Sequence, residues 1–328
     1  MRNAFLAALA LLALPTLAHA QAKVTMGLSH QLPPAHHIAK VVEAFAADVK
    51  SRTNGEVEVK VFGASQAHKP AENFPAVARG AIESAIVVNF QWGNTIPEMN
   101  VTVIPYFFTD LEKLKKFPGS PAAQILEAKM EAKGVKNIAW FFTTRQSIFT
   151  SAKKPLKAPE DFKGIKIRGL NKMADAALEA VGAAPSALPG DEVYNGLQTG
   201  IIDAGLTDVS AAYSRKYYEV QKYGTVAPYF TVYFHLFVNP AWLNKLEAKH
   251  RDAILAAARK AEQDTIGITE KTAEEAVVEL RKKGMELHIQ TPAESKAWAA
   301  AMQKPVLDGF LKASPEDGQK LIDAINKL

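Results

Sequence analysis

Apolar side chains recur along this chain in two periods. Residues 23–29 alternate apolar with polar, and Val57, Val59 and Val61 do the same between charged neighbours. A period of two predicts strands with one face covered. Between them Ile38, Val41, Val42, Phe45 and Val49 recur at three- and four-residue steps, which predicts a helix. Pro33-Pro34 breaks the chain ahead of it, and Asn54-Gly55 closes it in the usual C-terminal manner. A helix over 71–79 and an apolar strand over 85–88 follow, so the chain opens βαβαβ, the start of an open α/β lobe. Residues 101–108 are apolar around Pro105, 110–133 read as helical, and 135–142 read as a strand. Residues 231–238 alternate aromatic and aliphatic side chains as one long strand. Beyond it, 249–283 is rich in Ala, Glu and Lys and predicts one long helix or two, followed by helices over 292–312 and 315–328. No internal repeat or low-complexity linker interrupts this order.

The stretch from 161 to 208 concentrates the candidate chemistry. Phe162-Lys163-Gly164 is a turn, and the short run Ile165-Lys166-Ile167 delivers Arg168 at its end. Met173, Ala176, Ala177 and Val181 then mark a helix that Gly182 closes. Arg168 thus sits where a strand runs into a helix, a place where open α/β proteins bind ligands. Two further strand–helix junctions are predicted at 185–191 and 201–208, so three chain ends converge around one guanidinium.

Several pieces of this stretch have a familiar order. They are Pro159-Glu160-Asp161-Phe162-Lys163-Gly164-Ile165-Lys166-Ile167-Arg168, then Gly182-Ala183 with Pro185, then Glu192-Val193-Tyr194 with Leu197-Gln198-Thr199-Gly200, and Ile202-Asp203. Together they resemble the DctP-type solute-binding proteins of tripartite ATP-independent periplasmic (TRAP) transporters, with weaker similarity over 23–246. The resemblance implies a two-lobed α/β periplasmic binding protein fold with a hinged inter-lobe cleft, discontinuous lobes and a long C-terminal helical region. It places lobe I at 21–145 and 232–272, and lobe II at 146–231 and 273–328. The implied function is capture of a small organic acid and its delivery to the membrane subunits of such a transporter. In that family the arginine ending the KIR run grips the carboxylate of the transported acid, a role that would fall to Arg168. Its planar fork of donors matches a carboxylate bidentately.

The 328 residues suffice for two domains, and 48% hydrophobic with 22% charged residues is a globular composition. Arg2, the largely apolar run 5–17 and Ala18-His19-Ala20 match a signal peptide over 1–20, cleaved after Ala20. With no cysteine in the chain there is no disulfide, no thiol nucleophile and no lipid-modified cysteine after the signal, so a free periplasmic protein is expected. Losing Arg2 leaves 38 basic against 34 acidic residues, a charge of +4 that helps attract an anion and is too dispersed for a nucleic-acid partner. A monomer is expected.

Around Arg168 the candidate ligand-binding residues are Arg145, Asn171, Thr207, Phe90, Gln91, Trp92, Tyr229 and His30. Arg145 closes the Trp140-Phe141-Phe142 strand, where the family carries a second binding arginine. Asn171 stands at a predicted helix start and either caps it or donates to an anion. Thr207 stands where many relatives have a substrate-contacting asparagine, which implies a polar pattern unlike that of sialic acid. Gly190 aligns with a pocket side chain of some relatives and contributes only space. Phe90, Gln91, Trp92 and Tyr229 occupy strand ends and would wall the cleft, while Phe230, Tyr233 and Phe234 stand beside them and read equally as core. These walls point to an acid with an apolar or ring-shaped body. Glu192, Tyr194 and Gln198 read as capping and packing residues.

His36 and His37 point about 100° apart on a helix, and no carboxylate stands at ligand spacing, so neither a metal nor another cofactor is expected. The sequence lacks Gly-x-Ser-x-Gly, a phosphate loop and His-Glu-x-x-His, which argues against an enzyme. A receptor docking on a sensor kinase, and more remotely a periplasmic hydrolase, are the alternatives.

Overall fold

The computed structural model describes residues 23–328. The leader read over 1–20 lies outside them. Eleven strands run in chain order: β1 Val24–His30, β2 Val57–Phe62, β3 Ser84–Val88, β4 Lys136–Thr144, β5 Ser147–Ser151, β6 Lys166–Gly169, β7 Ala184–Ala187, β8 Ala204–Asp208, β9 Tyr223–Ala227, β10 Val232–Val238 and β11 Glu286–Ile289. The α-helices are α1 His37–Arg52, α2 Pro70–Ala78, α3 Leu111–Lys116, α4 Pro121–Glu131, α5 Lys172–Ala180, α6 Val193–Gln198, α7 Val209–Ser214, α8 Pro240–Lys245, α9 Ala248–Lys282, α10 Pro292–Ala313 and α11 Gly318–Asn326.

The strands form two sheets, ordered β2-β1-β3-β10-β4 and β11-β9-β5-β8-β6-β7. In the first, β1, β2 and β3 are parallel, and β10 enters antiparallel between β3 and β4. Every residue of β10 is buried, as a central strand covered on both faces requires. In the second, β5 is antiparallel to β8 and β9, and β6 runs parallel to β7 and β8. The chain passes from the first sheet to the second between Thr144 and Ser147, and returns between Ala227 and Val232. Helix α9, 35 residues long, is the third connection and packs on β4, α1 and α7. This is a two-lobed α/β fold with discontinuous lobes. Of the final helices, α10 packs chiefly on α5 of the second lobe, and α11 comes back to meet α4 of the first.

Most periodic segments become the predicted elements, and α1 buries Ile38, Val41, Val42, Phe45 and Val49. Three points differ. The helix expected over 110–133 is two, α3 and α4, separated at Gly119, whose φ of 76° requires a glycine, with Ser120 capping α4. Strands β5, β9 and β11 and helix α8 have no counterpart in the sequence pattern, and β11 is a short, half-exposed sheet edge. Helix α5 buries Ala174, Asp175, Ala177 and Leu178 and leaves Met173 and Ala176 partly exposed, a face rotated from the predicted one. The rotation carries the Asp175 carboxylate inward, where Oδ1 accepts from the Leu170 N–H at 2.7 Å. Burial pushes this carboxyl up to about 6.

Candidate functional site

Arg168 ends β6 almost wholly buried, at 3% exposure. Its Nε donates to the Leu188 carbonyl at 3.1 Å and its Nη1 to the Leu206 carbonyl at 2.6 Å. These carbonyls, just past β7 and in the middle of β8, orient the fork without neutralising it. Among the described residues Nη2 has no acceptor. Burial, the largest influence, lowers the guanidinium pKa to about 10, still far above neutrality. A cation removed from water with donors to spare is a site for an anion.

The space beside it lies between the lobes and is narrow, about 20 Å³. Gln31, Thr207, Asp208 and Arg215 supply its other polar walls, and Val88, Phe90, Phe230, Val232 and Phe234 supply the apolar ones. Phe90 stands 5.8 Å from the Arg168 guanidinium, measured to the ring centre. The lobes meet around this space: Asn171 Nδ2 donates to the Phe90 carbonyl at 2.8 Å and to Asn100 Oδ1 at 2.7 Å, and Ser65 Oγ donates to Asp191 at 2.8 Å.

The structure brings Phe90 and Thr207 to Arg168, and Gln91, Trp92 and Asn171 to an adjoining cleft that shares Phe90. Asn171 is fully engaged, because its Oδ1 accepts from the Met173 and Ala174 N–H groups and caps α5 while Nδ2 bridges the lobes. Trp92 is 3% exposed and packs on Phe74, His235 and Phe237. Arg145, Tyr229 and His30 are not among the residues lining either space. Arg145 is held by Glu270, with Nη2 to Oε2 at 2.7 Å. Tyr229 is buried against Tyr106, Phe149 and Phe230. His30 is 2% exposed, accepts the Leu32 N–H at Nδ1, and is lowered to about 4 by burial.

Three polar cavity residues escaped the sequence reading: Gln31, Asp208 and Arg215. Phe230 rather than Tyr229 lines the cavity, for a reason of parity. Phe230, Val232 and Phe234 line the cavity at a spacing of two, as one face of an extended segment must, and Tyr229, Thr231 and Tyr233 alternate with them. Among the described residues no cluster of His, Asp or Glu is placed to hold a metal ion.

A family model described as bacterial extracellular solute-binding protein, family 7, matches residues 28–312. The C4-dicarboxylate-binding periplasmic protein DctP of Rhodobacter capsulatus is 31% identical over 300 residues, covering 90% of this chain and 88% of that protein. A TRAP periplasmic solute-binding protein from Sulfurospirillum deleyianum, solved with bound succinate, superposes with a TM-score of 0.86 at 28% identity, over 93% of this chain and 100% of that one. Another, from Desulfovibrio salexigens with bound orotic acid, gives 0.86 at 26% identity, over 92% and 97%.

Proposed function

The chain belongs to family 7 of the bacterial extracellular solute-binding proteins, the DctP type of the TRAP transporters, and on that premise we propose that Arg168 grips the carboxylate of the small organic acid it captures. The protein delivers that acid to the membrane subunits of a TRAP-type transporter. The observation that carries the assignment of the site is the buried Arg168 guanidinium, which meets two carbonyls and no carboxylate beside an inter-lobe cavity. Thr207 offers a hydroxyl to the ligand, and Phe90, Phe230 and Phe234 cover an apolar body at ~25 cal/mol per Å² buried. Such walls favour an apolar or ring-shaped acid over a densely hydroxylated one, whose hydroxyls would lack partners. Succinate and orotic acid, bound by two similar proteins, are both free of sugar-like hydroxyl arrays.

The lobes close as hinged bodies, because a ligand touching both favours the arrangement in which they meet. The mature protein is a monomer, starts after Ala20 and catalyses no reaction. Gln91, Trp92 and Asn171 act at the rim of the closed cleft, and Arg145, His30 and Tyr229 support it from further away.

A thermal-shift screen over organic acids, followed by calorimetry, tests this reading. A cognate acid at about 100 times its dissociation constant adds ~2.7 kcal/mol of stability. Scattering should show compaction at saturation. Binding of neutral sugars in preference to every acid would overturn the proposal.

A further inference from the structure

Two amides face each other across the lobe junction, and each is oriented from within its own lobe. On the first lobe Asn100, in the 3-10 turn Pro97–Val103, commits its Nδ2 to the Gly93 and Pro97 carbonyls, both at 3.1 Å. Its Oδ1 is thereby left to accept from the second lobe. There Asn171 commits its Oδ1 to the Met173 and Ala174 N–H groups as the cap of α5, which leaves its Nδ2 for the first lobe. That Nδ2 meets two acceptors, Asn100 Oδ1 at 2.7 Å and the Phe90 carbonyl at 2.8 Å. Both asparagines are buried. Gly93 leaves the room for them. Its φ of −55° suits any residue, but a Cβ there would stand 2.6 Å from Asn100 Nδ2 and 2.7 Å from Asn171 Nδ2, closer than real side chains approach. Neither Gly93 nor Asn100 lines the space beside Arg168 or the adjoining cleft.

We propose that Asn100, Asn171 and Gly93 form a latch that sets the affinity for every acid alike, through the meeting of the lobes rather than through the ligand. The inference rests on the reading that the acid is held in the closed inter-lobe cleft. Each amide is prearranged on its own lobe, so closure makes two neutral hydrogen bonds with little further ordering of side chains. These bonds favour the closed arrangement by the same amount whatever acid is inside, and the apparent affinity of each acid scales with that closing equilibrium. Phe90 supplies an acceptor of the latch and a wall of the cavity, so engaging the latch seats that wall beside the Arg168 guanidinium.

The test titrates several acids of different body, taken from the thermal-shift screen, into the wild type, Asn171→Ser, Asn100→Ala, the double variant and Gly93→Ala. Serine keeps the cap of α5 and removes the bridging amide. Asn171→Ser and Asn100→Ala should each weaken every acid by one factor, about 5- to 10-fold, with the ratios between acids kept within about threefold. The double variant should lose less than about threefold beyond Asn171→Ser, since the two changes remove a shared bond. Gly93→Ala wedges the amides apart and should weaken all the acids at least as much. Melting of the unliganded variants establishes that each is folded, and if one is not, Asn171→Ser, whose cap is intact, decides. Losses that differ between acids by more than about threefold would make these side chains ligand contacts and overturn the latch. Losses below about threefold in Asn171→Ser, or losses that multiply in the double variant, would overturn it too. A drop confined to Arg168→Ala would sink the latch and leave the carboxylate holder in place. Uniform losses in the latch variants, with indifference of every acid to Arg168→Ala, would uphold the latch and sink that holder.

Discussion

Arg145 and Arg168 each stand where a strand gives out, and their surroundings differ in one respect. Arg145, just past β4, meets Glu270 from α9, with Nε at 3.1 and 3.2 Å and Nη2 at 2.7 Å from its oxygens. Its side chain keeps 28% of its exposure, so water screens the pair further. Arg168, buried more deeply, meets only the carbonyls of Leu188 and Leu206. A carbonyl is a dipole that orients a cation, and a carboxylate is a charge that cancels it. The first junction is electrostatically complete and ties β4 to the long helix. The second is held in geometry but left short of a counterion, a state that an arriving acid relieves.

Giving Arg168 an internal counterion should erase the difference. Thr207→Glu places a carboxylate in the same cavity, and the loss of acid binding should reach roughly two to three decades, because the ligand must displace a buried ion pair. Calorimetry on the variant measures this, and affinity within tenfold of wild type would mean that the cavity is not the binding site. Arg168→Lys keeps the charge without the fork and should lose an intermediate amount, about 10-fold, since one bidentate contact becomes a single point charge.

The reverse manipulation should do little to binding. Glu270→Gln frees Arg145 from its partner and should cost about 1 kcal/mol of stability, seen as a melting point lower by about 2 °C. Acid affinity should change by less than about threefold. A large gain in affinity would show that a freed Arg145 joins the site, as the family resemblance led one to expect.

A second carboxylate on α9 separates charge pairing from burial alone. Glu262 accepts the Trp140 N–H at 2.6 Å, and burial, the largest influence, pushes it up to about 7. The folded protein thus holds a proton there that the unfolded chain releases near 4.5. Its contribution to stability is full below the unfolded value and is lost as pH rises through about 7. Glu262→Gln should therefore gain ~1 kcal/mol on wild type at pH 8 and little at pH 5, with no change in affinity. Urea unfolding at both pH values checks the sign, and a gain confined to pH 5 would contradict it.

Much of this arrangement can be read from the chain, and the unread parts have physical reasons. Period and end signals suffice for β1, α1, β2, α2, β3 and β10, because each buries one clear face or both. The Pro118-Gly119 turn with Ser120 was a visible break between α3 and α4, yet the helical run on either side outweighed it. Strand β11 carries no such signal, because a half-exposed edge needs little apolar pattern. At the site, Arg168, Phe90 and Thr207 lie on or just beyond strands whose ends converge, so local order predicts their meeting. Arg215 sits in Ser214-Arg215-Lys216, which reads as an exposed helix end, and only its contact with Gly190, 25 positions earlier, turns it inward. Glu270 likewise reaches Arg145 across 125 positions, a pairing that no local pattern encodes.

The account stands most directly on one paired titration, in which the best acid from the screen is measured by calorimetry against wild type, Arg168→Ala and Arg145→Ala. Arg168→Ala should lose roughly two to three decades of affinity, as the ligand carboxylate is left buried without its cation, while Arg145→Ala loses less than about fivefold. Losses of equal size in the two variants, or the larger loss in Arg145→Ala, would contradict the claim that the unpaired guanidinium of Arg168 is the centre of the site.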